Sequence, residues 1–214
     1  CKSRVSEIKN TKLFFLIFIE GILSIMYTVL ILYYSKNDST KRIARAISRG
    51  IESVEGITAS IRTVQSDHYN ESDDALVSKE DLKSCSAMLI GSPTHFGNMA
   101  SPLKKFLDTT TEEWFNNTLE GKIGGAFTST SSLHGGQETT LISMMLPLLH
   151  HGMIIAGVPY SESALTSTKS GGTPYGPSHV SHNNKVDLTE DEKKICFSYG
   201  KRIAELTIRL QSTI

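Results

Sequence analysis

The apolar run at residues 27–34 most constrains how this chain folds. It reads Tyr-Thr-Val-Leu-Ile-Leu-Tyr-Tyr, and seven of its eight residues are apolar or aromatic. Such an unbroken run, with the β-branched residues Val29 and Ile31, predicts a strand that is buried on both faces, as strands of parallel sheets are. Small polar residues follow at 35–40, and a helical pattern begins at Lys41.

The turn after this strand combines hydroxyl groups with a helix start. Ser35, Ser39 and Thr40 supply the hydroxyls, while the helix supplies free backbone N–H groups and the positive end of its dipole. This combination suits a phosphate group, although an ordinary capped helix start accounts for the same residues. The chain has no Gly-x-Gly-x-x-Gly and no Gly-Lys-Ser/Thr motif, which argues against a dinucleotide-binding fold and an ATPase.

Composition excludes several classes of protein. The 214 residues suffice for one domain with a substantial core. Lysine plus arginine (22) balances aspartate plus glutamate (22), so the sequence indicates neither nucleic-acid binding nor the acidic surface of many small electron carriers. The three cysteines, Cys1, Cys85 and Cys196, form no CxxC pair, which argues against a zinc ribbon and a disulfide framework. We expect a reducing, cytoplasmic location and no metal site.

Residues 1–25 differ from the rest of the chain. Basic residues precede the apolar run 13–19, which resembles a signal peptide or, continued through the first strand, a membrane span. If 27–34 is a strand, too few apolar residues remain to cross a bilayer, so no stable membrane insertion is expected. Met26 directly precedes the strand, and we expect it to be the natural start, with 1–25 an upstream extension. An extra helix lying on the domain is the alternative.

Strand-like and helix-like segments alternate along the rest of the chain. Further strands are predicted at 57–64, 86–91, 122–129 and 153–158. Helices are predicted at 39–53, 99–108, 138–151 and from Thr189 onwards, with Thr189 as the cap of the last one. A further short helix is predicted to be capped by Ser78. The stretch 159–188, rich in Ser, Gly and Pro, lacks periodicity, which is typical of a functional loop.

Five apolar strands that alternate with helices predict a parallel sheet covered on both faces. Right-handed crossovers then place every strand-to-helix loop at one edge of the sheet. The loops at 35–40, 92–98 and 129–136 are therefore expected to converge at the carboxyl ends of the first, third and fourth strands. Ligands of open α/β sheets bind at such an edge.

Two of these loops have features that suit a planar ligand. Phe96 and Gly97 combine an aromatic ring with unhindered backbone, although a simple turn explains the same residues. The 129–136 loop offers hydroxyls and two glycines. Elsewhere, His150 at a helix end is typical of a structural histidine. The lone Trp114 is predicted to lie in a polar loop, where a tryptophan is as often a surface or interface anchor as a site residue.

Together, these stretches resemble the WrbA-type NAD(P)H:quinone oxidoreductases, which have a flavodoxin-like fold. The resemblance covers about residues 26–212, and the order and spacing of its motifs agree throughout. The segments that carry it are Leu32–Ser35, Gly91–Met99, Phe106–Asp108, Trp114, Phe127, Ser129–Thr130, Gly135–Thr140, Leu149–Met153 and Gly171–Gly176.

The resemblance implies an FMN-dependent enzyme. By it, residues 26–214 form one α/β domain, a flavodoxin-like three-layer sandwich whose five-stranded parallel sheet has the order 2-1-3-4-5. NADH or NADPH would reduce FMN, and a quinone would then take two electrons in a ping-pong reaction. Dimers or tetramers would share their active sites between subunits.

The resemblance also assigns roles to individual residues. The FMN phosphate would lie at 35–40, and the ribityl chain and ring at 93–97 and 129–136. His150 would lie beside the flavin and donate a proton or a hydrogen bond. Asn37 and Trp114 would contact the substrates, with Trp114 supplied by a neighbouring subunit. The complete FMN-binding set is Ser35, Lys36, Asn37, Asp38, Ser39, Thr40, Pro93, Thr94, His95, Phe96, Gly97, Ser129, Thr130, Ser131, Ser132, Gly135 and His150.

Departures from the family's pattern keep two alternatives open. Asp38 stands where the phosphate loop usually has glycine, Asn37 replaces a common aromatic residue, and residues 131–134 are larger than the small residues usual there. Because a carboxylate repels a phosphate unless it points to solvent, we expect Asp38 to point away and FMN affinity to suffer. A one-electron flavodoxin-like carrier and a non-enzymatic FMN-binding regulator or scaffold are the alternatives.

Overall fold

The computed structural model describes residues 26–66, 74–181 and 187–212, so the predicted N-terminal extension lies outside it. None of the helices in these ranges has both the length and the apolar character needed to cross a membrane. The elements, in chain order, are β1 (Tyr27–Tyr33), α1 (Ser39–Glu52), β2 (Ile57–Thr63), α2 (Lys79–Ser84), β3 (Ala87–His95), β4 (Asn98–Met99), α3 (Ser101–Asp108), α4 (Thr111–Phe115), β5 (Ile123–Thr130), α5 (Gln137–His150), β6 (Ile154–Ile155), α6 (Ala164–Ser167), β7 (Ser178–Val180) and α7 (Glu190–Gln211).

The main sheet is parallel and has the strand order β2-β1-β3-β5-β6. With β5 and β6 as the fourth and fifth parallel strands, this order confirms the predicted one. Within the described residues, the sheet has seven strands rather than the predicted five, because two short strands are added to it. Of these, β4 pairs antiparallel with β3, and β7 pairs parallel with β5.

The fifth predicted strand, 153–158, is shorter than predicted, since only β6 pairs with β5 there. Further along β5, the backbone around Gly176 occupies the neighbouring position, and a Cβ atom on Gly176 would lie 2.1 Å from the carbonyl oxygen of Ala126. β7 then continues the pairing at residues 128–130. The edge of the sheet is thus built from two segments distant in sequence, which local periodicity does not reveal.

The core forms two layers, one on each face of the sheet. Along β1, Val29, Ile31 and Tyr33 face one layer while Leu30 and Leu32 face the other, and all five are buried. α1 and α7 cover the first face, and α2, α3 and α5 cover the second. The prediction that the first strand is buried on both faces is therefore confirmed, as is the three-layer architecture.

Two segments that were predicted to be loops contain regular structure. Trp114 lies on α4, a five-residue helix, and the stretch 159–188 contains α6 and β7. These elements are too short to show a hydrophobic period, so the sequence pattern could not reveal them. The long segment is therefore partly a component of the sheet.

A buried carboxylate ties this long segment to α7. Glu192 is 1% exposed, and it accepts hydrogen bonds from the backbone N–H groups of Gly171 (2.8 Å), Thr189 (2.8 Å) and Val180 (3.2 Å) and from Nδ1 of His179 (2.9 Å). Burial opposes ionisation of Glu192, but the hydrogen bonds from His179 and the backbone outweigh it and lower its pKa to about 2. The predicted helix cap at Thr189 is confirmed, since its hydroxyl accepts from the Glu192 N–H group.

We expect Glu192→Gln to lower the free energy of unfolding by about 3 kcal/mol, because a neutral amide accepts these bonds less well and turns its own N–H groups towards donors. The folded pKa of Glu192 lies below its ordinary value of 4.5. Its stabilisation is therefore present above pH 4.5 and is lost as the pH falls towards 2. Urea unfolding at a series of pH values measures both effects.

Glu190→Gln is the matched control, because Glu190 lies on the same helix with its side chain 80% exposed and pairs with Lys193. This variant should unfold at the same urea concentration as the wild type. Equal stability of the Glu192→Gln and Glu190→Gln variants at neutral pH would show that the buried carboxylate contributes no net stability.

Candidate active site

A pair of buried hydroxyls joins the loops 35–40 and 129–136. Thr40 lies in the first turn of α1, and Ser129 lies near the end of β5. Their hydroxyl oxygens are 2.9 Å apart, within hydrogen-bond distance, and both side chains are buried. The loops 35–40 and 129–136 therefore lie side by side at the carboxyl edge of the sheet.

Close backbone packing joins the loops 92–98 and 129–136. A Cβ atom on Gly136 would lie 3.0 Å from Cα of Gly97 and 3.4 Å from Cγ2 of Thr94. The hydroxyl oxygens of Thr94 and Thr128 are 3.2 Å apart. Both glycines have positive φ angles, +76° at Gly97 and +94° at Gly136, which most residues adopt only with strain. The predicted convergence of the three loops is confirmed.

The loop 92–98 is part of a hairpin rather than the open loop that was predicted. β3 continues beyond the predicted end at Gly91 to His95 and pairs with β4. The two turn residues, Phe96 and Gly97, have φ angles of 53° and 76°, as a tight turn between antiparallel strands requires. The Phe96 side chain is fully exposed at the tip. A bulky residue held in a left-handed conformation and in solvent indicates a contact outside the core of its own chain.

Asp38 adopts a left-handed conformation before α1 (φ 59°) and makes no capping hydrogen bond with its side chain. Such a conformation favours glycine, although aspartate tolerates it. The residue is exposed and lines a groove with Lys41 and Arg42. This placement agrees with the expectation that its carboxylate points to solvent.

The remaining predicted residues surround the junction of the three loops, with hydroxyl groups beneath a rim of exposed side chains. The exposed residues are Lys36, Asn37, His95, Ser131 and Ser132. The buried and partly buried residues are Ser35, Ser39, Pro93, Thr94, Gly97, Thr130 and Gly135. The arrangement can enclose the polar parts of a ligand while leaving one side of it open.

The first turn of α5 adds two polar groups that sequence reasoning missed. Gln137 and Thr140 are buried, and Gln137 Oε1 and Thr140 Oγ1 have no hydrogen-bond partner among the residues that the structure describes. Both residues follow Gly136, which packs against the loop 92–98. Buried polar atoms without a partner are costly, so a ligand that bonds to them would be stabilised here. The 135–140 motif contained this signal, but only Gly135 was assigned to the site.

His150 and Trp114 line one groove, and His150 is at the opposite end of α5 from Gln137. α5 begins at Gln137, next to the loop 129–136, and ends at His150. At the usual rise per residue, Gln137 and His150 are therefore about 20 Å apart. His150 lines a groove of about 550 Å³ with Trp114, which is 49% exposed. The groove extends to Asn98 of the loop 92–98, but its lining in the described chain includes no residue of the loops 35–40 and 129–136. His150, predicted to bind FMN, therefore lies with Trp114 rather than with those two loops, because it follows them by the length of α5.

An exposed apolar strip continues from this groove along α5. Ile142, Leu146 and Leu149 follow one another at helical spacing and are 44%, 55% and 55% exposed. Phe115, next to Trp114, is 79% exposed. These side chains give this part of the surface an apolar character.

Comparisons with known proteins identify the family. Residues 27–164 match the family model described as NADPH-dependent FMN reductase. Two curated relatives, each named NAD(P)H dehydrogenase (quinone), come from Chromohalobacter salexigens (41% identical over 199 residues) and Solidesulfovibrio magneticus (37% over 201 residues), and each alignment covers 86% of this chain and 99% of the relative. A solved structure of a WrbA-like flavodoxin from Agrobacterium tumefaciens has a TM-score of 0.67 at 22% identity, covers 86% of this chain and 98% of its own, and supports the fold. The chain thus belongs to the NADPH-dependent FMN reductase family and, within its flavodoxin-like members, to the WrbA-type group.

Proposed function

We propose that the protein reduces quinones by two electrons at bound FMN, with NADH or NADPH as the electron donor. The observation that carries this proposal is the convergence of three loops at one edge of the sheet. The chain that forms them is 41% identical to a relative named as a quinone dehydrogenase. A reducing, cytoplasmic location is part of the proposal, and the buried free thiols of Cys85 and Cys196 support it.

The residues at the junction fit FMN. The hydroxyls of Ser39 and Thr40 and the free N–H groups of the first turn of α1 suit its phosphate. Gly97 and Gly136 let backbone approach a planar ring closely. Gln137 Oε1, which is buried without a partner in the described chain, can accept a hydrogen bond from the ligand. When bound, FMN would supply the hydride acceptor and the electron donor to the quinone.

The side chains around the junction would position the two substrates. The exposed ring of Phe96 offers an aromatic surface at the tip of the hairpin, and Asn37 would contact the nicotinamide. Trp114 would pack against the quinone ring, and His150 would donate a proton or a hydrogen bond to a quinone oxygen. A closely packed site would also exclude water from the transferred hydride.

We propose that each active site is shared between subunits. One chain holds the loop 129–136 at the start of α5 and His150, in the groove with Trp114, at its end. A second copy can bring its groove to the loops of the first, and burial of Ile142, Leu146 and Leu149 would stabilise the contact. A dimer or a tetramer would therefore be the active form.

Steady-state kinetics of the full chain with added FMN test the function. With NADH or NADPH and benzoquinone, we expect saturable turnover and parallel lines in double-reciprocal plots, because the oxidised nicotinamide leaves before the quinone binds. Omission of FMN is the control and should abolish turnover.

Two results would contradict the proposed function. Protein that binds FMN, does not turn over and accumulates one-electron-reduced flavin under illumination would be an electron carrier. Protein that fails to bind FMN even at high concentration would be a regulator or scaffold.

Removal of the Asp38 charge should tighten FMN binding. We expect both Asp38→Asn and Asp38→Gly to lower the FMN dissociation constant roughly two- to fivefold, because a carboxylate at a helix N-terminus opposes an anionic ligand. Titration by quenching of flavin fluorescence measures the constant, and the gain should shrink at high salt. Glu52→Gln is the control, since Glu52 is exposed at the other end of α1. Unchanged or weaker binding by Asp38→Asn would place its carboxylate away from the phosphate.

A charge on the apolar strip should separate the subunits. We expect Leu146→Glu to reduce the molar mass of the assembly, measured by light scattering after gel filtration, and to abolish quinone reduction, because the 55%-exposed Leu146 would be buried between copies. Lys201→Glu, at an exposed position on α7, is the control and should retain assembly and activity. A Leu146→Glu variant with wild-type mass and activity would refute the shared site.

A further inference from the structure

The short helix α4, which bears Trp114, buries no apolar side chain in the core. Of its five residues, Glu113 alone is buried, at 3% exposure, while Trp114 and Phe115 are exposed. A five-residue helix is too short to be stable by itself, and a buried carboxylate is costly unless it is paired. The position of α4 therefore depends on what Glu113 contacts.

Glu113 is paired with a lysine from a different helix. Lys79, the first residue of α2, donates from Nζ to Glu113 Oε2 at 2.6 Å and also to the carbonyl oxygen of Thr109, just before α4. Burial opposes ionisation of Glu113, but hydrogen bonds from Lys79 and the backbone, together with the nearby lysine charges, lower its pKa. Glu113 is therefore ionised at neutral pH, and the two hydrogen bonds from Lys79 fasten both ends of the turn into α4 to α2.

A second contact joins α4 to the end of α5. The Thr110 hydroxyl donates to the carbonyl oxygen of Leu107 (2.7 Å), so it accepts from Nε2–H of His151 at 2.9 Å. Burial lowers the pKa of His151, although the Glu113 charge partly opposes this, so the ring is neutral at pH 7. His151 directly follows His150, and this contact therefore ties the two walls of the groove together.

Glu113 and His151, which anchor α4, are each adjacent in sequence to a residue that is assigned to the quinone. Glu113 precedes Trp114 and His151 follows His150, and both exposed side chains line the same 550 Å³ groove. A movement of α4 would carry the indole away from His150 without unfolding the core, since no other residue of α4 is buried. The Glu113–Lys79 contact thus ties the helix that bears Trp114 to α2.

We propose that Glu113 is a positioning residue for quinone binding. Its buried pair with Lys79 holds α4 in place, so that Trp114 stands opposite His150. This inference rests on the proposed function, because it assigns the groove to the quinone. Glu113 itself touches neither substrate nor cofactor. Its effect is transmitted through the placement of the adjacent indole.

The experiment compares Glu113→Gln with Glu112→Gln in the full chain with FMN, since Glu112 lies exposed on the same helix. For Glu113→Gln we expect the KM for benzoquinone to rise roughly tenfold with kcat nearly unchanged, because misplacement of a binding group weakens ground-state and transition-state contacts alike. The KM for the nicotinamide and the FMN dissociation constant should stay the same. Glu112→Gln should match the wild type throughout.

Tryptophan fluorescence gives a readout that does not require turnover. Trp114 is the sole tryptophan of the chain, so its emission and its quenching by acrylamide report the position of α4 alone. We expect Glu113→Gln to increase quenching clearly above the Glu112→Gln control. Lys79→Gln should reproduce the change, and the double variant should add little to it, because the two residues act as one pair.

The outcomes separate this inference from the proposed function. A folded Glu113→Gln variant with wild-type quenching and wild-type quinone KM would overturn the positioning role. If that variant does not fold, Lys79→Gln decides instead, because Lys79 is partly exposed and glutamine still offers an N–H donor to the Glu113 carboxylate. Wild-type protein that reduces no quinone would refute the proposed function and the KM effect, whereas increased quenching in the variants would still support the anchoring of α4.

Discussion

Burial of the first strand on both faces is the constraint on which the rest of the structure depends. β1 pairs with β2 on one side and β3 on the other, and its side chains alternate between two core layers. Both faces must then be covered by helices, so successive parallel strands return across the sheet by helical crossovers. This geometry places the carboxyl ends of the strands, and the loops that follow them, at one edge. The site exists because the core is built in this way.

Polar contacts complete the structure where apolar packing is insufficient. The Thr40–Ser129 pair joins two loops at the site, and Glu192 gathers donors from segments on either side of β7. Glu113 does the same for a helix that buries no apolar residue. Each of these buried groups is costly if one partner is lost, so each specifies a single arrangement of the segments that it joins.

The long, periodic elements were predictable, and the short ones were not. β1, α1 and the capped start of α7 have strong local signals: an unbroken apolar run, an apolar stripe, and a threonine followed by a glutamate that caps the helix. The division of the sheet edge between β6 and β7 depends on the fit of Gly176 against Ala126, a contact between residues far apart in the chain. The hairpin at Phe96 and the helix under Trp114 likewise contain too few residues to show a period.

For the candidate site, the sequence by itself determined which residue types the loops carry and that the loops lie at one edge, because alternating apolar segments predict a parallel sheet with right-handed crossovers. The strand order was implied by the family resemblance. Only the tertiary structure decided that His150 and Trp114 line one groove, with His150 at the opposite end of α5 from Gln137. A motif shows which residues are present, but their separation in space depends on the length of α5 and on the partners that hold α4. Those partners, Lys79 and His151, act through contacts between distant segments, which no local pattern encodes.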